Sequence, residues 1–285
     1  MRGRPIQVLI RDPKATEQVW SRHGGYPGDG RYLEFHKIRW PGGLKLWSVT
    51  DPNADLGAKL PYDPGAARDA ARGHARHFRS LLDRIVTGAT PGDRAIVAPF
   101  DTELFGHWWF EGMDFLEDVF ESLAGDDQVI PSTAGDVLEA SPATTALRLG
   151  SGSWGANGDF SMWLNPGTEW TWERLWPLED RFWNAVPGAL ARAEALPVVE
   201  QAARELLLAQ SSDWQFIIST GAAGDYATMR FSEHCDALAL LLPALEDPAL
   251  DLVPARVHAA ALERLDGPFT DLIGAIAAAS DVGAA

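Results

Sequence analysis

Between Ala98 and Trp109 the chain reads APFDTELFGHWW, which places two carboxylates, a histidine and two adjacent tryptophans within twelve residues. The apolar run Ala95-Ile96-Val97-Ala98 leads into it and is short enough for a buried strand. Barrel and open α/β enzymes place their chemistry at strand C-termini. Aromatic faces beside a carboxylate suit a sugar, whose C–H faces stack while its oxygens take hydrogen bonds. On pattern alone, an ordinary buried strand whose tryptophans fill a core fits equally well.

The elements that must position these residues are alternating in the first half and helical in the second. Ile6-Gln7-Val8-Leu9-Ile10 reads as a strand closed by Asp12-Pro13. Residues 24–64 read as loop, with Gly and Pro recurring (Gly24, Gly25, Pro27, Gly28, Pro41, Gly42, Gly43, Pro52) between aromatics. Apolar spacing predicts a helix over 66–86 that stops at Gly88, a strand at Ala95–Ala98, and a helix over 113–123. A short strand at Val129-Ile130-Pro131 and a short helix over 134–140 follow. Beyond about Gly150 the pattern is helical throughout, over 169–186, 190–209, 225–245 and 256–279, ending in a frayed tail, 277–285. Two domains are expected, 1–150 and 151–285.

Composition narrows the function classes. The net charge of -16 argues against nucleic acid, whose binding depends on clustered Lys and Arg, and suits a neutral polymer better. Acidity is concentrated in the second half: residues 1–150 carry 17 basic and 21 acidic groups, and residues 151–285 carry 7 and 19. That excess reads as solvated helix faces. No apolar run is long enough to span a bilayer and the start lacks a signal-type apolar segment, so no membrane partner and a cytoplasmic location are expected. Cys235, the single cysteine, rules out an intrachain disulfide.

The segment Ala98 to Gly112 resembles the motif around the catalytic acid of glycoside hydrolase family 57, most of all that of its 1,4-α-glucan branching enzymes. Gly150-Ser151-Gly152-Ser153-Trp154-Gly155 with Met162-Trp163-Leu164-Asn165 resembles the last conserved block of that family. Further stretches are similar to branching enzymes: Gln18 to Ser21, Tyr26 to Asp29, Glu34 to His36, Pro61 to Pro64, and Ser211-Ser212-Asp213-Trp214. The likeness runs from about residue 10 to about 270. It implies the C-terminal part of an irregular (β/α)7 barrel followed by a helical domain. It also implies that Asp101 is the acid and base, with a pKa raised by an apolar surround to which Phe100, Trp108 and Trp109 contribute. Trp20, Trp154 and Trp163 become glucan contacts, and Trp108 with His107 borders the substrate; for His107 a satisfied core histidine fits nearly as well.

Other residues read as structural. Glu103 lies too near Asp101 in sequence to hold the opposite face of a sugar. Glu111 is expected to open the following helix. Trp170, Trp172, Trp176 and Trp183 are expected in the core. His74 and His77 stand one turn apart, a metal-capable spacing, but nothing supplies further ligands; neither metal nor cofactor is expected. The family's blocks upstream of Arg2 to Asp12, including the strand with the nucleophilic carboxylate, have no counterpart here. The expected activity is therefore that of a branching enzyme cutting an α-1,4 link and forming an α-1,6 branch, in a part that carries the acid but not the nucleophile. Its partners would be an α-glucan and an N-terminal half-barrel polypeptide. The alternatives are a non-catalytic glucan-binding protein, a split-enzyme subunit, or an amylase or 4-α-glucanotransferase of the same family.

Overall fold

The computed structural model describes residues 6–21, 24–51, 53–89 and 95–283, in two compact units that divide between Leu147 and Arg148. Residues 2–5, Pro52 and the last two of the expected tail lie outside the described residues.

In the first unit four helices are set by their caps and apolar faces. Helix α1 (Pro13–Trp20) opens on Asp12, whose carboxylate accepts from the Ala15 N–H at 2.8 Å, with Pro13 in the first turn where its missing N–H costs nothing. Helix α2 (Pro64–Thr87) repeats the device with Asp63 and Pro64 and stops at Gly88. Its buried face, Ala67, Ala70, Ala71, Ala75, Phe78, Leu81 and Leu82, packs on Phe115, Val119 and Leu123 of α3 (Gly112–Leu123). Helix α4 (Ala134–Ala140) carries a capping box between Thr133 and Asp136. The long segment between α1 and α2 is loop, pinned by the isolated antiparallel bridges Leu33–Ser48, Arg39–Leu44 and Trp47–Pro61.

The expected strands are absent among the described residues. Residues 6–10, 95–98 and 129–131 run without strand pairing, and the apolar ends of the first and last stay in water, Ile6 91% and Ile130 66% exposed. An extended run becomes a strand only when a neighbour takes up its N–H and C=O groups. One tie of this kind forms, from the Asp12 N–H to the Val97 carbonyl at 2.7 Å. The described chain is thus mostly helical, and no barrel sheet is present in it.

The second unit is a helical bundle: α5 (Glu169–Leu190), α6 (Leu196–Ala209), α7 (Asp213–Thr220), α8 (Gly224–Glu246), α9 (Leu252–Glu263) and α10 (Leu272–Gly283). Helix α6 is buried on nearly every side, and α5, α8, α9 and α10 surround it. Its core joins Leu175, Phe182, Val186, Val199, Leu206, Phe231, Leu238 and Leu242. Three details differ from the sequence reading. Pro197 delays α6 to Leu196. Helix α7 was unforeseen. The last helix is two, because Pro268 interrupts it and the Arg204 guanidinium holds the Pro268 and Phe269 carbonyls at 3.1 and 3.2 Å.

Candidate functional site

The segment after Ala98 folds into a tight loop rather than a strand end. Asp101 precedes the turn Thr102–Leu104; its side chain is exposed and caps nothing. Leu104 and Trp109 plunge into the core, and the loop closes through Trp109 N–H to Leu104 carbonyl and Gly106 N–H to Trp109 carbonyl, both 2.8 Å. Gly106 has φ +95, a conformation side chains disfavour, so glycine is needed there. This geometry turns His107 and Trp108 outward.

Trp108 is held by two contacts. Its indole N–H donates to the Glu103 carboxylate at 3.0 Å, and the Phe35 ring lies 4.4 Å away at 37°. His107 stands edge-on to both rings, 5.2 Å from Phe35 and 5.1 Å from Trp108. The Lys45 ammonium sits 3.8 Å from the Phe35 centroid. The result is a half-exposed aromatic platform with a carboxylate, an imidazole and an ammonium at its rim. Trp109 does not join it: it is 2% exposed and packs on Phe115, Tyr32 and Tyr26. The loop's hydrogen bonds fix its ring on the inner side.

Glu111 has a role the sequence did not reveal. It stands at the start of α3 as expected, but its side chain turns inward, 2% exposed, and caps nothing. One oxygen accepts from the Leu33 N–H at 3.0 Å and from the Tyr62 hydroxyl at 2.7 Å. It therefore ties both ends of the 33–62 loop, and with it Phe35, to the segment that carries Trp108. Burial raises its pKa above the ordinary glutamate value and also pushes up the Tyr62 phenol. No spacing could reveal this, since the partners lie 78 and 49 residues away. Trp20 ends α1 and is 45% exposed; it makes no ring contact with the platform among the described residues.

In the second unit Trp154 and Trp163 meet edge to face at 5.0 Å, and Phe216 lies 5.3 Å from Trp154. Trp154 is 75% exposed and Trp163 only 9%. Gly155 permits the pairing: a Cβ there would stand 2.8 Å from the Trp163 ring. The Trp163 carbonyl accepts from Thr168 Oγ1 at 2.9 Å and Trp172 Nε1 at 2.8 Å, and Ser219 on α7 holds the Met162 carbonyl at 2.7 Å. Trp170 and Trp172 pack against the core as expected, Trp170 with Phe231 at 5.4 Å. Trp176 and Trp183 do not, because they face away from the buried arc of α5.

Both candidate cation clusters are tied into hydrogen bonds within the chain. His74 and His77 are engaged by the hydroxyls of Tyr32 at 2.7 Å and Tyr26 at 2.8 Å. Glu205, His234 and Asp266 converge within 4.8 Å, a geometry that suits an ion. The Arg230 guanidinium already stands there, 2.9 Å from Asp266 and 3.2 Å from His234 Nε2, while His234 Nδ1 lies 2.8 Å from Glu205. With Arg230 donating to Nε2, the Nδ1–H donates to Glu205.

Comparison with known proteins finds relatives of this chain in sequence and in structure. Residues 178–273 match the family model described as 1,4-alpha-glucan branching enzyme, C-terminal. The chain is 43% identical over 238 residues to the 1,4-alpha-glucan branching enzyme TK1436 of Thermococcus kodakarensis, which covers 82% of this chain and 35% of that protein. The crystal structure of that protein, a GH57 branching enzyme in complex with glucose and additives, superposes with a TM-score of 0.78 at 40% identity, over 94% of this chain and 50% of the other. A GH57-type branching enzyme from Pyrococcus horikoshii gives 0.76 at 40% identity, over 91% and 49%. The α-amylase AmyC of Thermotoga maritima gives 0.68 at 32%, over 92% and 52%. The chain thus spans about a third to a half of the length of the relatives it matches.

Proposed function

From the premise that this chain is a relative of the glycoside hydrolase family 57 1,4-α-glucan branching enzymes and carries their C-terminal module, we propose that it forms the acid-bearing and glucan-binding part of such an enzyme. The activity is retaining transglycosylation: an α-1,4 link is cut and the released segment passes to a 6-hydroxyl, giving an α-1,6 branch in a storage glucan of the cytoplasm. No described helix is long and apolar enough to cross a membrane, which is compatible with that setting.

Asp101 protonates the departing glycosidic oxygen and then deprotonates the acceptor hydroxyl. A second carboxylate about 5 to 5.5 Å from it forms the glycosyl-enzyme, and a further polypeptide segment supplies it. The same segment would pair with residues 6–10, 95–98 and 129–131 and turn them into strands of a (β/α)7 barrel. Trp108 and His107 border the sugar beside Asp101, and Trp20, Trp154 and Trp163 stack on glucose faces. The observation that carries this reading is the Phe35–Trp108 platform: an aromatic face, half open and rimmed by polar groups, built into the loop that presents Asp101.

Maltoheptaose binding to the purified chain, followed by tryptophan fluorescence, tests it. Trp108→Ala should weaken binding while leaving the melting temperature within a few degrees. Unchanged affinity would remove the platform from the site.

A further inference from the structure

Helix α5 carries two tryptophans that the bundle core does not explain, Trp176 and Trp183, beside a third, Trp172, that packs partly against that core. Trp172, Trp176 and Trp183 follow one another at four and seven residues, which puts them on one side of the helix. The buried arc belongs to Thr171, Leu175, Leu178, Phe182 and Val186. Trp172 and Trp176 lie 5.7 Å apart at 34°, and Trp176 is 53% and Trp183 38% exposed. The stripe begins at the Trp154–Trp163 pair, because the Trp172 indole N–H donates to the Trp163 carbonyl at 2.8 Å.

The polar surroundings select the ligand. The two cations of α5 are committed to ion pairs with α8, Arg174 with Asp236 and Arg181 with Glu246. Glu173, Asp180 and Asn184 are exposed and make no hydrogen bond or ion pair among the described residues. Such a face repels anions and offers acceptors to hydroxyls beside apolar rings, which suits a neutral sugar. From Trp172 to Trp183 the helix rises about 16 Å, longer than one sugar ring.

We infer that Trp172, Trp176 and Trp183 extend the Trp154–Trp163 contact into a track for a longer α-glucan chain. The inference rests on the glucan reading of that pair. The track holds the part of the polymer remote from Trp154, so it favours long chains over short ones and leaves the grip on a short oligosaccharide unchanged.

Calorimetric titration of the full chain with maltotriose and maltoheptaose, and gel retardation in soluble amylose, test it with three variants of checked melting temperature. The double variant W176A/W183A should bind maltoheptaose and amylose about tenfold more weakly, from the loss of two stacking rings, and maltotriose as before. W176F/W183F, which keeps aromatic faces, should recover most of that loss, and W154A should weaken all three ligands. If W154A weakens binding and the double variant does not, the track is refuted while the Trp154–Trp163 site stands. If W154A changes nothing, or no glucan binds, the site reading fails and the track with it. A double variant that retains glucan affinity but loses self-association or polypeptide binding would make the stripe a protein contact and overturn the inference.

Discussion

The two units meet the same demand, burial of apolar surface, in different ways. The helical unit closes its core from within: α6 is buried on nearly all sides, and its polar groups Gln201, Arg204 and Glu205 are satisfied by α8 and by the 264–271 connection. The first unit buries a cluster of Tyr26, Tyr32, Trp109 and Phe115 under α2 and α3, yet leaves its extended runs without strand partners, with Ile6, Ile10 and Ile130 in water. A helix satisfies its backbone locally, whereas a strand depends on a neighbour. A helical region can therefore satisfy its backbone by itself where an unpaired extended run cannot. The residues proposed for chemistry lie in the unit whose extended runs find no strand neighbour among the described residues.

The comparison breaks most visibly at the bundle core. Phe231→Ala should destabilise the helical unit by about 3–5 kcal/mol, since a fully buried ring is replaced by a cavity. In calorimetry the bundle transition should shift down while the first unit's transition stays in place. A single common shift would mean that the units unfold as one.

Glu111→Ala should cost the first unit about 1–3 kcal/mol by leaving the Leu33 N–H and Tyr62 hydroxyl without their acceptor. It should also release Phe35 from Trp108, read as a change in tryptophan emission. An emission unchanged from wild type would show that Glu111 does not hold the platform.

A smaller effect concerns pH. Burial holds the Glu111 pKa above its unfolded value, so between the two values the folded state carries the extra proton and stability falls as pH rises. The contribution is complete below the ordinary glutamate value and lost as pH climbs through the raised one. Glu111→Gln keeps an acceptor for Leu33 and Tyr62 and removes the titration. Its stability relative to wild type should therefore improve from acid to neutral pH in urea melts; a constant difference would contradict the assignment.

Most of the helices were legible because caps and periodicity are local. Asp63-Pro64 and Gly88 mark α2 in the sequence itself, and the Thr133–Asp136 box marks α4. Helix α7 escaped because Trp214, Phe216, Ile217 and Ile218 form an almost continuous apolar run with no clear face. The break before α10 depends on Arg204, more than sixty residues upstream. The expected strands rested on apolar runs alone, and none of those runs finds a strand neighbour among the described residues. At the site, the segment around Asp101, His107 and Trp108 stood out by residue type, whereas Phe35 and the inward turn of Glu111 depend on contacts across many tens of residues.

The most direct measurement is the formation of α-1,6 linkages on amylose by this chain mixed with a separately produced N-terminal half of a family 57 branching enzyme. Wild type should form branches only in the mixture, Asp101→Asn in the mixture should form none, and Glu103→Gln should retain most of the activity. Branching by the chain alone, or activity surviving Asp101→Asn, would contradict the assignment of Asp101 as the acid of a site completed from outside.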